Sequence, residues 1–140
     1  MFNFSLNSSF DKLEQSLMEK VLLIEKTQQE LAQTLGTQMK QEIKDNLDIP
    51  VSKSGAKVVR SLPLEAPRKE SGNLQNSVDF SVEQTALVST VKVFCSSSAP
   101  YALYLEYGSA KTAARPFMLP VLNKYTLILK EEIKEIGNYL

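Results

Sequence analysis

A long amphipathic segment places the strongest constraint on the fold of this chain. Between residues 8 and 48, apolar side chains recur mostly every three or four residues, as on the apolar face of a helix. The helix is expected to end at Ile49, because Pro50 disfavours helical backbone in the residue before it. The pattern predicts one long helix or a helical hairpin; a continuous helix would be ~60 Å long, and Gly36 leaves a kink open. We expect its second half to cover a core and its first half to lie exposed or between subunits.

The remainder of the chain predicts a small sheet and further helices. Leu74–Val82 and Ala86–Phe94 alternate between apolar and polar residues, as half-buried strands do, and residues 83–85 are expected to form the turn. A second amphipathic pattern predicts a closing helix from about residue 117 or 120 to residue 136. The fold class is therefore α+β: a long N-terminal helix, a small antiparallel β-sheet, a short central helix, and a C-terminal helix packed on the sheet.

The sequence indicates one domain with three parts. Residues 1–50 are the N-terminal helical segment, residues 51–70 a basic flexible loop, and residues 71–140 the α+β core. The loop mixes Ser, Gly and Pro with five basic residues: Lys53, Lys57, Arg60, Arg68 and Lys69. So long a loop is usually functional or disordered. It is expected to be either a solvated, mobile linker or a basic arm that contacts an acidic ring or DNA phosphates.

Charge and cysteine content exclude several classes of protein. Sixteen basic and sixteen acidic residues cancel, so no overall field attracts the protein to nucleic acid or membrane. No run approaches the ~18 apolar residues that span a bilayer, and the first residues are not expected to form a secretory signal. The single cysteine, Cys95, excludes an intramolecular disulfide and favours a reducing cytosol.

The absence of histidine argues against catalysis. It removes the Ser-His and Cys-His nucleophile pairs, the commonest general base and the commonest metal ligand. Cysteine and acidic residues do not occur at ligand spacing within a shared element, and no glycine-rich phosphate loop is present. We therefore expect no enzyme, no catalytic residues, no metal site and no cofactor.

A carboxylate among aromatic residues marks the central stretch, Ala99–Ser109. Glu106 lies among three of the chain's five tyrosines, namely Tyr101, Tyr104 and Tyr107. Gly108 is expected to end a short helix with a left-handed backbone. A carboxylate in so apolar a setting needs a partner, and the nearest arginine is Arg115. Both an intramolecular pair and a pair across two subunits remain open, and we favour the former.

The segment after Arg115 carries a phenylalanine between two prolines. Pro116 and Pro120 fix φ and stiffen the backbone. Phe117 lies between them at the start of the closing helix. We expect its side chain to fill the core.

These motifs resemble those of a known family. A-P-Y-A-x-x-x-E-Y-G-S followed by R-P-F-M-L-P is similar to the signature of head–tail joining proteins of long-tailed bacteriophages and prophages, called tail-completion, neck or minor capsid proteins. Ala66-Pro67 and Ser71–Val78 resemble the upstream motif of that family. The candidate motif and interface residues are Gly72, Leu74, Tyr101, Tyr104, Glu106, Tyr107, Gly108, Arg115, Pro116, Phe117 and Pro120.

The resemblance implies a structural protein of virion assembly at the head–tail junction. Such a protein is expected to form a ring of six copies and to contact the head-completion protein, the tail terminator or the tail tube. Contact with passing DNA is possible, and no membrane is involved. The expected location is the virion, with the host cytoplasm during assembly. The alternatives are a cytosolic helical adaptor and a nucleic-acid binder that uses the basic loop.

Overall fold

The computed structural model describes residues 6–54, 57–85 and 88–138. These residues form four helices and four strands and confirm the α+β class. In chain order the elements are α1 (Leu6–Asn46), β1 (Ser52–Ser54), β2 (Lys57–Val59), α2 (Asn73–Ser77), β3 (Val78–Thr85), β4 (Val88–Cys95), α3 (Ala102–Tyr107) and α4 (Leu119–Asn138).

Helix α1 is continuous through Gly36, so the glycine does not interrupt it. Its role is to let the sheet approach the helix backbone. A Cβ atom at Gly36 would overlap the Phe80 ring of β3, which lies directly on the helix at this point. Glycine costs roughly 1 kcal/mol relative to alanine within a helix, and the close contact with Phe80 offsets that cost.

The main sheet is the antiparallel pair of β3 and β4. Its register joins Val78 to Cys95 at one end and Thr85 to Val88 at the other. Val91 and Val93 are half-buried and pack against the core, while Lys92 and Phe94, on the other face, are exposed. The sheet runs along α1 as far as Glu25, whose carbonyl oxygen accepts a hydrogen bond of 3.1 Å from Gln84 Nε2.

The predicted boundaries of the first long strand were wrong at both ends. Residues 73–77 form the short helix α2, because Gly72 turns the chain with φ of +83° and its carbonyl accepts the Asn76 N–H at 2.9 Å. Ser77 Oγ also donates to the Leu74 carbonyl at 2.7 Å. At the other end, residues 83–85 continue the strand. Their polar side chains lie at its exposed end, and residues 86 and 87, the first two of the predicted second strand, lie outside the described residues.

The segment predicted as a loop contains regular structure. Strands β1 and β2 pair antiparallel, with Ser52 opposite Val59. Beyond them, Lys69 pairs with the segment that follows α1, because its N–H donates to the Ile49 carbonyl at 2.8 Å. The Leu64 N–H also donates to the Ala114 carbonyl at 2.9 Å. The segment is therefore tied to the body at both of these points, and its mobility stays a prediction.

The core lies beneath the second half of α1. Ile43 is fully buried, and Phe117 is 2% exposed. The other members of this cluster are Met39, Leu47, Val78, Ala99, Ala102 and Val121. Helix α4 lies beside α1, where Lys124 Nζ contacts the Glu42 carboxylate at 2.8 Å. Among the described helices, none is both long and apolar enough to cross a membrane.

The first half of α1 is exposed, as the sequence analysis predicted. Eight large apolar side chains in this half are between 44% and 64% exposed: Phe10, Leu13, Leu17, Met18, Val21, Leu22, Leu23 and Ile24. A helix face of this kind is normally buried against another element.

Candidate interaction site around the central helix

Glu106 fastens α3 to the beginning of α4. Its Oε2 accepts hydrogen bonds from the N–H groups of Phe117 at 2.9 Å and Met118 at 3.1 Å, and its Oε1 accepts one from Leu119 at 2.8 Å. The first N–H groups of a helix have no partners within it, and the helix dipole favours negative charge there. Pro120, the next residue, has no N–H to satisfy. Glu106 therefore caps α4 from a neighbouring helix.

The form of the prediction that we favoured, an intramolecular pair between Glu106 and Arg115, is wrong. The three backbone donors at the start of α4 satisfy both carboxylate oxygens of Glu106, so no guanidinium is needed there. Arg115 is instead held by its backbone, whose N–H donates to the Leu105 carbonyl at 2.6 Å. Its Nε atom is buried and has no hydrogen-bond partner among the described residues.

Gly108 allows the chain to fold back after α3. Its φ of +78° is the positive value that the sequence predicted, and glycine adopts it without strain. A Cβ atom there would lie 2.9 Å from the Ala114 backbone nitrogen and 3.0 Å from the Thr112 carbonyl oxygen. The turn between Gly108 and Arg115 is therefore packed directly on the glycine, and it brings Phe117 into the core.

The outer side of α3 forms an aromatic patch, which we define as Tyr101, Leu103, Tyr104 and Tyr107. These side chains are 41%, 63%, 61% and 71% exposed, respectively. Ala102 and Glu106, on the opposite side of the helix, are buried. Tyrosine is enriched at protein interfaces because it offers a large apolar area and a polar tip. The patch is therefore a rigid, apolar surface suited to contact with another protein.

A cleft of about 260 Å³ lies on one side of α3, and we call it the basic cleft. It brings together two of the sequence motifs, because Gly72 and Leu74 line it with Tyr101 and Leu105. Three of the basic residues predicted from the sequence also line it: Arg60, Arg68 and Lys69.

The three cations of the basic cleft have different surroundings. Arg60 Nε contacts the Glu70 carboxylate at 3.1 Å, and Lys69 Nζ contacts that of Asp48 at 2.6 Å. The hydrogen bond from Lys69 holds the pKa of the Asp48 carboxyl below its usual value. Arg68 Nε is buried without a hydrogen-bond partner in the described part of the chain. Of the other basic residues predicted for the loop, Lys57 is exposed on β2, and the Lys53 side chain lies outside what the structure describes.

A second cleft, of about 450 Å³, lies between β4, α3 and α4. Sequence reasoning missed its apolar rim, which includes Phe94, Leu103 and Leu119. The spacing of Leu103 and Tyr107, four residues apart on one helix, was the available signal. Cys95 also lines this cleft, and burial raises the pKa of its thiol.

The predicted site residues fall into two groups. The first group holds the fold together. It consists of the buried residues Gly72, Glu106 and Phe117, the turn residue Gly108, and Leu74, which is half-buried against the core. Tyr101, Tyr104 and Tyr107 are exposed and available to a partner. Pro116 is half-buried and Pro120 is exposed. Thus the buried members position the aromatic patch that the exposed members form.

The fold and this surface define a class of protein: a small α+β domain that presents apolar and aromatic side chains on the outer side of a short helix. Within the described ranges, cysteine and acidic residues do not gather in a group that could hold a metal ion.

The comparison with protein families gives the particular identity. Residues 8–108 match the family described as "Bacteriophage HK97-gp10, putative tail-component". Because the match covers more than half of the chain, this protein belongs to that family and is a structural component of phage tails. Comparison with curated proteins and with solved structures gives no match.

The matched range differs from the range of the sequence motifs. It begins in α1, for which the motifs gave no comparable signal, and it ends at Gly108. The exposed first half of α1 therefore lies almost entirely within the family region. The segment from Arg115 to Pro120, which supported the resemblance, lies outside that region.

Proposed function

We propose that this protein completes the tail and joins it to the head, as a ring of identical copies at the head-proximal end of the tail. Its neighbours would be the head-completion protein on one side and the tail terminator or tail tube on the other. The family match over residues 8–108 is the observation that carries the proposal. A ring also needs two different contact surfaces on each copy, and the aromatic patch and the exposed half of α1 are two such surfaces.

The proposed role is purely structural. Glu106, the carboxylate at the centre of the motif, caps α4 through three backbone hydrogen bonds. Its chemistry is therefore used to hold the fold together. The protein would be found in the virion at the head–tail interface, and in the host cytoplasm before assembly.

The alternative of DNA binding through the basic segment gains little support. Glu70 and Asp48 already pair with Arg60 and Lys69, respectively. Neutralised cations release few counterions from DNA and contribute little affinity. A contact with DNA passing through the ring is thus a secondary feature of this proposal.

Deletion of the gene from the phage that carries it tests the proposal. We expect electron micrographs to show filled heads and separate tails, which join when the wild-type protein is supplied. A matched variant, Glu83→Gln, alters an exposed pair with Lys92 and should restore joining fully. Normal virions after deletion, or the absence of tails altogether, would refute a role at the junction.

A further inference from the structure

The first part of α1 projects beyond the sheet of its own chain. The contact between Gln84 and Glu25 lies at the end of the β3–β4 ladder. Residues 9–25, which we call the projecting segment, extend ~25 Å from that point at 1.5 Å per residue. Their apolar side chains are about half exposed or more.

The apolar side chains of the projecting segment form one continuous face. Phe10, Leu13, Leu17, Val21 and Ile24 are three or four residues apart, and at 100° per residue they lie within an arc of ~80°. Leu35 and Met39, which pack on the core, lie on the same side of the helix. The face that α1 buries in its own core therefore continues into the projecting segment, where it is exposed.

The projecting segment is also acidic. It contains four acidic and two basic residues, namely Asp11, Glu14, Glu19 and Glu25 against Lys12 and Lys20. At 100° per residue, Glu14 and Glu25 lie ~60–80° from Leu17 on one side of the apolar face. A partner that fits this face needs apolar side chains with cations beside them.

The surface around the basic cleft has that composition. Arg60, Arg68 and Lys69 line the cleft with Glu70. Glu70 and Asp48 pair with Arg60 and Lys69, so Arg68 is the lining cation left for an acidic partner among the described residues. Leu62 and Leu64 are 65% and 77% exposed nearby in sequence, and Tyr101 lines the cleft itself. Arg68 is half-buried, and its Nε atom has no hydrogen-bond partner in the described part of the chain, so its guanidinium group is suited to an incoming carboxylate.

We propose that the projecting segment of one copy packs into the basic cleft of the next copy. Its apolar face would cover Tyr101 and the neighbouring leucines, and Glu14, beside that face, would approach Arg68. This inference rests on the proposed function and names the contact that builds the ring. Because the two surfaces differ, each copy both gives and receives a helix, and such contacts close into rings or extend into filaments. Pairing of two α1 helices would produce only dimers and would bring like charges together.

Cysteine cross-linking within assembled particles tests the contact. In a Cys95→Ser background, Leu17→Cys is combined with Tyr101→Cys, and virions are purified from the complemented deletion phage. Oxidation should produce a ladder of covalent oligomers, because each copy joins two neighbours. Leu17→Cys with Thr90→Cys is the control, since Thr90 is exposed on the outer side of the sheet, and it should give no ladder.

Several results would overturn the inference. Dimers from Leu17→Cys alone, without a ladder from the pair, would indicate pairing between two α1 helices. Cross-links to another virion protein, or none at all, would also refute the contact. Immunoblotting separates the two proposals: wild-type protein missing from virions contradicts the proposed function, while protein present without the ladder contradicts this contact alone.

Charge reversal gives an independent test. Glu14→Lys should weaken the contact about tenfold or more, as expected for losing a close charge pair across an interface, and so lower the phage titre. Arg68→Glu should have a similar effect, and the two changes together should restore most of the titre. Circular dichroism of each purified variant confirms folding. Failure of the combined variant, with every variant folded, would contradict the proposed pairing.

Discussion

The substitution Glu106→Gln tests how the central motif holds the fold together. Glu106 is 9% exposed and accepts three backbone hydrogen bonds, two at Oε2 and one at Oε1. Glutamine has nearly the same shape but carries one acceptor oxygen and one NH₂ donor. The NH₂ group must therefore face at least one N–H group at the start of α4, and two donors cannot bond to each other.

The structure gives the expected magnitude. In the better orientation, the glutamine amide oxygen replaces Oε2. The part-buried N–H of Leu119 then loses its acceptor, at a cost of ~1–3 kcal/mol. Loss of the negative charge at the helix N-terminus adds ~0.3–1 kcal/mol. We expect the free energy of unfolding to fall by ~1–4 kcal/mol, the sum of these two effects. At ~4 °C per kcal/mol, the melting temperature should fall by roughly 5–16 °C.

Urea denaturation followed by circular dichroism measures this difference. Glu83→Gln is the matched control, because Glu83 pairs with Lys92 where both side chains are more than half exposed, and it should cost under ~1 kcal/mol. Equal midpoints for Glu106→Gln and Glu83→Gln would refute the capping role. The double variant Glu106→Gln with Arg115→Met should show a coupling free energy below ~0.5 kcal/mol. A larger coupling would indicate an ion pair between Glu106 and Arg115 and would contradict the structure.

Three further measurements test other parts of the structure. Phe117→Ala should lower the free energy of unfolding by ~3–5 kcal/mol, because the Phe117 side chain fills the core. Tyr101→Ala should lower it by under ~1 kcal/mol, because Tyr101 is exposed. Equal denaturation midpoints for the two variants would contradict this. Gly36→Ala should destabilise by ~1–3 kcal/mol despite its better helix propensity, because the new Cβ overlaps the Phe80 ring. A smaller side chain, Phe80→Leu, should recover part of that loss, and a simply additive double variant would refute the contact. Burial raises the pKa of the Cys95 thiol, so less thiolate is present at pH 8. Iodoacetamide should therefore alkylate Cys95 more slowly than it alkylates glutathione. An equal rate would show that the thiol is open to solvent.

Local patterns predicted most of the elements. The apolar spacing of α1 and the amphipathic pattern of α4 depend on residues close in sequence, and both helices were found within a few residues of the expected bounds. The turn at Gly108 was predicted for a similar reason, because glycine readily adopts positive φ. These elements are determined by neighbours along the chain.

One error is local: Leu74 to Ser77 alternates like a strand, yet the turn at Gly72 and the Ser77 hydroxyl stabilise one helical turn. The others occurred where distant residues decide the structure. The partner of Glu106 could not be deduced from charge, because its donors are uncharged backbone groups eleven to thirteen residues away. Likewise, nothing near Gly36 in sequence indicates that Phe80 packs on it. Tertiary contacts decide these last two features.

Reconstruction of the neck of the virion by cryo-electron microscopy tests the central claim most directly. We predict a ring at the head-proximal end of the tail, built from copies of this fold, with the projecting segment of each α1 seated against the neighbouring copy. Particles from the deletion phage should lack this density. Density for this protein along the length of the tail tube, or only inside the head, would contradict the account.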